Sequence, residues 1–395
     1  MTLRVATLIT RLEGGAGQLT LRGVLSLAAA DIEPVIVAGS GALLGEAAAA
    51  GVEVITEPAL GRAIDPCRDP RALAALSALL RERAFDVAHT HTSKAGVLGR
   101  LAAHHAKVPR VVHTYHGFPF HEFQSGVRRA AYVAIERRMG QFTDVALCVG
   151  TGVAAEAIRR RLVPPERVRT IGVAVPAGLA PADAEARDRA RRALGLPSEA
   201  VVIGTVGRLT YQKAPEDFVE VVRELRRRGR AGRPELAGLT GVWIGGGELA
   251  GRVARLIAKH ADPGVLLAGE RADVPGLLPA LDMFVLPSRY EGLPTAVVEA
   301  MACGIPVVAT AVNAVPDVVV PGETGLLVPP GRPDLLADAV AYLLARPELA
   351  ARMAERARES LGHRFEISTL GAALIESYTR SSENVAMSDG SVISG

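Results

Sequence analysis

Short β-branched runs alternate with longer Ala-, Leu- and Arg-rich stretches along most of the chain. In the first half the runs fall at 3–9, 34–38, 52–55, 86–89, 110–115, 144–149 and 167–171. Between them, apolar positions recur with helical spacing near 17–30, 70–83, 94–106, 127–140 and 151–162. This rhythm predicts βαβ units and a parallel sheet covered on both faces. It breaks over 176–199, an Ala/Pro/charge-rich stretch without a strand pattern, which reads as a linker holding one short helix. It restarts with strands at 201–206, 240–244, 264–268, 282–286, 305–309 and 325–328. Helices are expected near 215–229, 248–260, 294–303 and 332–345. The expected organisation is one α/β domain over 1–175, the linker over 176–199 and a second α/β domain over 200–364. A terminal helix over 365–381 follows, with a return to the first domain as one option. The polar stretch 382–395 reads as a disordered tail.

Composition narrows the function classes. The 395 residues suffice for two domains, and 49% of them are hydrophobic, enough for two cores. A formal charge of +3 gives no reason to expect nucleic acid as a partner. Lysine occurs only at 94, 107, 213 and 259, so arginine runs such as Arg226–Arg228 reflect a compositional bias and read as solvated helix faces. Cys67, Cys148 and Cys303 have no paired spacing, which points to a reducing compartment without disulfides. The opening MTLRVATLIT has too short an apolar run for a signal peptide, and no window is long and apolar enough to span a bilayer. A cytoplasmic location is expected, with peripheral contact at the inner face of the membrane left open.

Chemistry concentrates at the carboxyl ends of the expected strands, where ligands of parallel sheets bind. In DMFVLPSRYEGLP, Glu291 follows a strand, and Pro294 is suited to the first position of a helix that carries Glu299. A helix N-terminus offers free amides and a positive dipole end. A carboxylate deeper in the helix can accept two hydroxyl hydrogen bonds. A purely structural arrangement, with Glu299 paired to an arginine and Glu291 capping the helix, is equally compatible with these residues. In GTVGRLTYQK, the turn at Gly207 precedes Arg208 and Lys213, two cations on one βα loop that match a diphosphate. Gly14, Gly15 and Gly17 form a Gly-rich turn after the first strand, and Gly246 lies in a second one, IGGGE. Neither is the dinucleotide fingerprint. Seven of nine histidines fall between 89 and 121; His116, before Gly117 at a strand end, is best placed to meet a ligand. A zinc site there lacks helical spacing and a cysteine partner, so no metal is expected.

Taken together, Glu291-x7-Glu299, the Gly207-Arg208…Lys213 loop, the Gly14-Gly15 turn and His116-Gly117 resemble the GT4 family of retaining glycosyltransferases. The segments ALDMFVLPSRYEGLPTAVVEAMACGIPVVAT and GETGLLVPPGRPDLLADAV carry most of the resemblance. It implies an α/β GT-B fold, two Rossmann-like domains with parallel sheets facing across a cleft. It implies a retaining, metal-independent glycosyltransferase without a cofactor, using a nucleotide-sugar donor. UDP is favoured over GDP because GERADVPGLLPALDMFVLPS resembles UDP-sugar members. By the same resemblance Arg208 and Lys213 hold the diphosphate, and Glu299 holds the ribose. Glu291, with Gly292, Leu293 and Pro294, meets the donor sugar; Gly14, Gly15, Gly207 and Gly246 line the donor site. His116 contacts the sugar or the acceptor, and Arg208, Lys213, Glu291 and His116 form the catalytic set. The acceptor, small or lipid-linked, is expected on the first domain, where the stretch 115–140 carries Arg128, Arg129, Arg137 and Arg138. The resemblance implies a place in glycan, glycolipid or secondary-metabolite synthesis. Two loops depart from the family pattern: Asn313–Asp317 replaces a Gly-Gly-Pro-Glu loop, and Gly172–Pro176 replaces Asn-Gly-Val-Asp. A hydrolysing UDP-sugar 2-epimerase-like enzyme and a non-catalytic sugar-nucleotide binding protein are the alternatives.

Overall fold

A computed structural model describes residues 2–28, 30–259 and 264–379; the tail expected over 382–395 lies outside them. The described residues divide into two compact units, 2–174 with 366–379, and 175–365.

Unit 1 is built on seven strands: β1 (Leu3–Arg11), β2 (Ile32–Ser40), β3 (Glu53–Thr56), β4 (Val87–His91), β5 (Arg110–Tyr115), β6 (Val145–Cys148) and β7 (Val168–Thr170). They form one parallel sheet in the order β3-β2-β1-β4-β5-β6-β7. Neighbouring residues of β1 feed opposite faces. Leu8 packs with Val35, Leu76 and Ala88, whereas Ile9 packs with Leu21, Val24 and Ile36. Both faces are therefore covered, and the strand is buried without a break from Val5 to Thr10. The direction of strand order reverses between β1 and β4, so the loops leaving these strands diverge at the carboxyl edge.

Unit 2 repeats the plan with β8 (Val202–Val206), β9 (Thr240–Ile244), β10 (Val265–Gly269), β11 (Met283–Leu286), β12 (Val307–Thr310) and β13 (Leu326–Val328). The parallel order is β10-β9-β8-β11-β12-β13, with its switch point between β8 and β11. Phe218 and Trp243, both buried, meet edge to face at 5.6 Å in its core. The short helix Ala184–Ala193 is fastened to this unit: Arg191 reaches Asp282 at 3.0 Å, and Asp282 accepts the Val202 amide at 2.7 Å.

Several elements differ from the sequence expectation. The first helix runs Gly14–Leu25, so the Gly-rich turn is its first turn. Gly17 allows this start, because a Cβ there would lie 2.8 Å from the Leu12 carbonyl carbon. Pro294 is the N-cap of the helix Thr295–Ala302 and not its first residue. Helices Leu44–Ala49 and Pro347–Leu361 were not anticipated. The last described helix, Ile367–Thr379, belongs to unit 1, where Arg110 Nε donates to the Ser377 carbonyl at 2.5 Å. Among the described residues, no helix is long and apolar enough to cross a membrane.

Candidate functional site

In unit 2 the loops leaving β8 and β11 are stitched together at the switch point. After β8, the Gly207 carbonyl accepts the Trp243 indole N–H at 2.8 Å, and the Lys213 stem lies over Gly207. A Cβ at 207 would sit 3.2 Å from Lys213 Cε, so the glycine leaves the path for that side chain. The short turn Tyr211–Lys213 then aims the ammonium at Glu291, with Nζ 2.6 Å from Oε1. Ser288 Oγ donates to the same oxygen at 2.6 Å, and Gln212 Nε2 donates to Oε2 at 3.3 Å. Asn313, on the loop after β12, accepts the Glu291 amide through Oδ1 at 2.8 Å. Arg289 clamps the two loops from outside. Its amide donates to the Gln212 carbonyl and Nη1 to the Tyr211 carbonyl, both at 2.8 Å, and the guanidinium lies 4.5 Å over the Tyr211 ring. Asp217 completes the clamp at 3.4 Å.

Glu291 is thus a buried carboxylate whose partner is supplied by the protein. The structure joins Lys213 to Glu291, two residues the sequence analysis had given separate roles. Gly292, Leu293 and Pro294 are buried between them and the helix Thr295–Ala302. Glu299 is also buried, one turn into that helix. Burial, reinforced by the Glu299 charge, lifts the Cys303 thiol to about 11. Arg208 is exposed and, among the described residues, has no ion-pair partner. Burial raises the Tyr290 phenol; Tyr211 adds to the rise and Arg208 opposes it, while Glu291 and Glu248 add smaller increments. Gly246 accepts the Leu209 amide at 2.7 Å and lies beneath Glu270, whose Cγ would be 2.8 Å from a Cβ there.

In unit 1 the corresponding switch point holds Gly14, Gly15 and the histidines. Gly14 has a φ of +61°, and a Cβ on Gly14 or Gly15 would meet nothing within 4 Å. His91, the last residue of β4, pairs through Nδ1 with His116 Nε2 at 2.9 Å. His89 is held by Tyr378 Oη on Nδ1 and Thr114 Oγ1 on Nε2, each at 2.7 Å. His113 meets Thr90 Oγ1 at 2.8 Å. Loss of water around the rings lowers all four: His89 to about 3, His116 to about 4, and His91 and His113 well below the usual range. Their nitrogens face one another and neighbouring hydroxyls. Among the described residues, no group of three or more His, Cys, Asp or Glu side chains is arranged to hold a metal ion. Fully buried Arg100 donates to Glu136 at 2.8 Å, and this fixes which side of the helix Gly126–Gly140 turns inward.

Ser288, Gln212, Arg289, Asn313 and His91 were not singled out from the sequence as site residues. Only the position of Asn313 carried a signal, as the departure from a glycine pair; its φ of +45° is a left-handed conformation that asparagine tolerates.

Comparison with known proteins follows the same division. A family model for glycosyl transferases group 1 matches residues 186–360, and one for Glycosyltransferase Family 4 matches residues 13–177. The chain is 32% identical over 258 residues to UDP-Gal:alpha-D-GlcNAc-diphosphoundecaprenol alpha-1,3-galactosyltransferase of Escherichia coli; this match spans 65% of each chain, just under two thirds of the relative's length. It is 31% identical over 328 residues to D-inositol 3-phosphate glycosyltransferase of Saccharomonospora viridis, covering 76% of this chain and 73% of that one. The crystal structure of Anabaena HepE in complex with UDP and glucose has the same fold, with a TM-score of 0.80 at 20% identity over 95% of this chain and 98% of that one.

Proposed function

The chain belongs to the group 1 glycosyl transferases, and from that premise we propose that it moves a sugar from a nucleoside diphosphate donor to an acceptor hydroxyl, with retention at the anomeric carbon. The observation that carries the reading is the cluster at the β8/β11 switch point. There the exposed Arg208 follows β8, Lys213 pairs with Glu291 across to the loop after β11, and that loop leads into the N-terminus of the helix Thr295–Ala302. Arg208 and Lys213 neutralise the diphosphate as negative charge develops on the leaving group, which is electrostatic catalysis by donors fixed in advance. In this reading they take the part of a metal ion. Glu291 orients Lys213 and, with the Gly292 and Leu293 amides, meets the donor sugar. Glu299 accepts the ribose hydroxyls, and Pro294, Gly207 and Gly246 shape the donor site. Gly14 and Gly15 of unit 1 are assigned to the donor phosphates, and His116 to the sugar or the acceptor. The leaving phosphate oxygen takes the acceptor proton, so no side chain serves as a dedicated base.

A UDP-sugar donor is supported by the name of the Escherichia coli relative and by the ligand of HepE. Thermal shifts across UDP, GDP and their sugars test the donor, because a ligand that binds the folded state raises its melting point. Product analysis with the best donor, with and without EDTA and an acceptor, tests transfer, retention and metal independence. Donor turnover without any acceptor would support the epimerase reading instead. A lipid-linked acceptor at an anionic membrane is supported by the outer side of the helix Gly126–Gly140, where Val127 is 84% and Ile135 45% exposed beside exposed Arg128, Arg137 and Arg138. Flotation with anionic liposomes checks this; absence of binding at low salt would leave a soluble acceptor.

A further inference from the structure

The histidine pair in unit 1 has a fixed proton inventory. His91 and His116 share one hydrogen bond, Nδ1 to Nε2 at 2.9 Å, and both rings are held neutral by their surroundings. One proton therefore lies between them, and the tautomer of one ring sets that of the other. The second His91 nitrogen, Nε2, is buried and has no partner among the described residues. An orphaned buried N–H is rarer than an unmet acceptor. The proton of His91 accordingly sits on Nδ1 and is donated to His116 Nε2, which leaves His116 with its own proton on Nδ1. His91 also lines a cavity of about 10 Å³ with Thr7, whose hydroxyl lacks a partner among the described residues.

The surroundings of His91 are over-determined. Its ring lies 4.1 Å from that of His89, which Tyr378 and Thr114 pin on both nitrogens. The next residue, Thr92, has a φ of +61°, unusual for a β-branched side chain. Thr10 holds it, accepting the Ala95 amide and bonding Thr92 Oγ1, each at 3.1 Å. Backbone strain of this kind persists where neighbours enforce it and clusters at functional sites.

We propose that His91 is a positioning residue that holds His116 in one orientation and in the Nδ1–H tautomer, so that His116 meets the sugar or the acceptor as a hydrogen-bond donor. The proposal rests on the role given to His116 above. Two-bond ¹H–¹⁵N spectra of histidine-labelled protein read the tautomer without substrate. Nδ1–H at His116 is expected in the wild type, and a mixture in His91→Leu. With the best donor and acceptor, His91→Leu should lower kcat about 10- to 100-fold, the size of effect seen when the outer partner of a metal-ligating histidine is lost, and leave the donor KM within about twofold. His91→Asn, whose amide reproduces the Nδ1 position, should restore most of kcat. An Nε2–H tautomer at His116 overturns the proposal, as does an unchanged kcat in His91→Leu. If His91→Leu does not fold, the wild-type spectrum and His91→Asn decide. If the wild type transfers no sugar yet shows the expected tautomer, the functional reading fails and the positioning role stands.

Discussion

Lys213 Nζ lies 2.6 Å from Glu291 Oε1, so the cation after β8 and the carboxylate after β11 act as one unit across the switch point. Their side chains are 17% and 5% exposed. Lys213→Met leaves a buried carboxylate with only the Ser288 hydroxyl and the Gln212 amide. Breaking a buried pair by removing one partner costs about 3–5 kcal/mol. Replacing both partners, as in Lys213→Met with Glu291→Leu, should cost less than Lys213→Met alone. Urea unfolding of the two variants checks the order. A loss under about 1 kcal/mol in Lys213→Met would mean that Glu291 is not dependent on its cation.

Asn313 makes a separate contribution, because its Oδ1 accepts the Glu291 amide in a part-buried hydrogen bond from a left-handed backbone position. Asn313→Gly keeps the backbone and loses that hydrogen bond, at about 0.5–1.5 kcal/mol. Asn313→Ala adds the left-handed penalty of about 1–2 kcal/mol. Stability should therefore fall from Asn to Gly to Ala. An alanine variant as stable as glycine would argue against the strained conformation.

The strands were legible because buried parallel strands announce themselves as local β-branched runs; their order, and with it the two switch points, came from the structure. The placement of Glu291, Glu299, Arg208 and Lys213 was legible because each sits at a fixed offset from a strand end or a helix start. The partners of Glu291 were not. Gln212 and Asn313 reach it from 79 and 22 positions away, and such hydrogen bonds leave no period in the sequence. The His91–His116 pair, 25 positions apart, was hidden for the same reason. Helix Pro347–Leu361 shares its Ala/Arg-rich composition with the linker, and it was not anticipated. The start of the first helix was misplaced because glycine disfavours helices, whereas here close approach to the Leu12 backbone demands it.

Acid should weaken unit 1 through its histidines. Burial holds His89 and His116 down to about 3 and 4, from 6.5, and holds His91 and His113 well below 6.5. Below 6.5 the unfolded chain binds protons that the folded chain excludes, so unfolding free energy rises with pH. The stability is present above 6.5 and is lost progressively as pH falls toward about 4, by up to about 1.4 kcal/mol per pH unit for each histidine. Urea midpoints at pH 7, 6 and 5 should decline, with a shallower slope in His89→Gln. Midpoints that stay level would show that the rings accept protons in the folded state.

Arg208 tests the catalytic assignment with the least structural interference. It is exposed and has no ion-pair partner among the described residues, whereas the charge of Lys213 is already met by Glu291. Its guanidinium is therefore the less neutralised of the two cations. An exposed substitution away from packing changes stability by no more than about 0.5 kcal/mol. Arg208→Ala should keep its melting temperature while turnover falls by more than about 10²-fold, as for removal of one donor that acts in the transition state. Arg208→Lys keeps the charge but loses the planar fork, so it should recover only part of the rate. The decisive measurement is kcat with saturating donor and acceptor: a near-normal value in Arg208→Ala would remove this residue from the catalytic set.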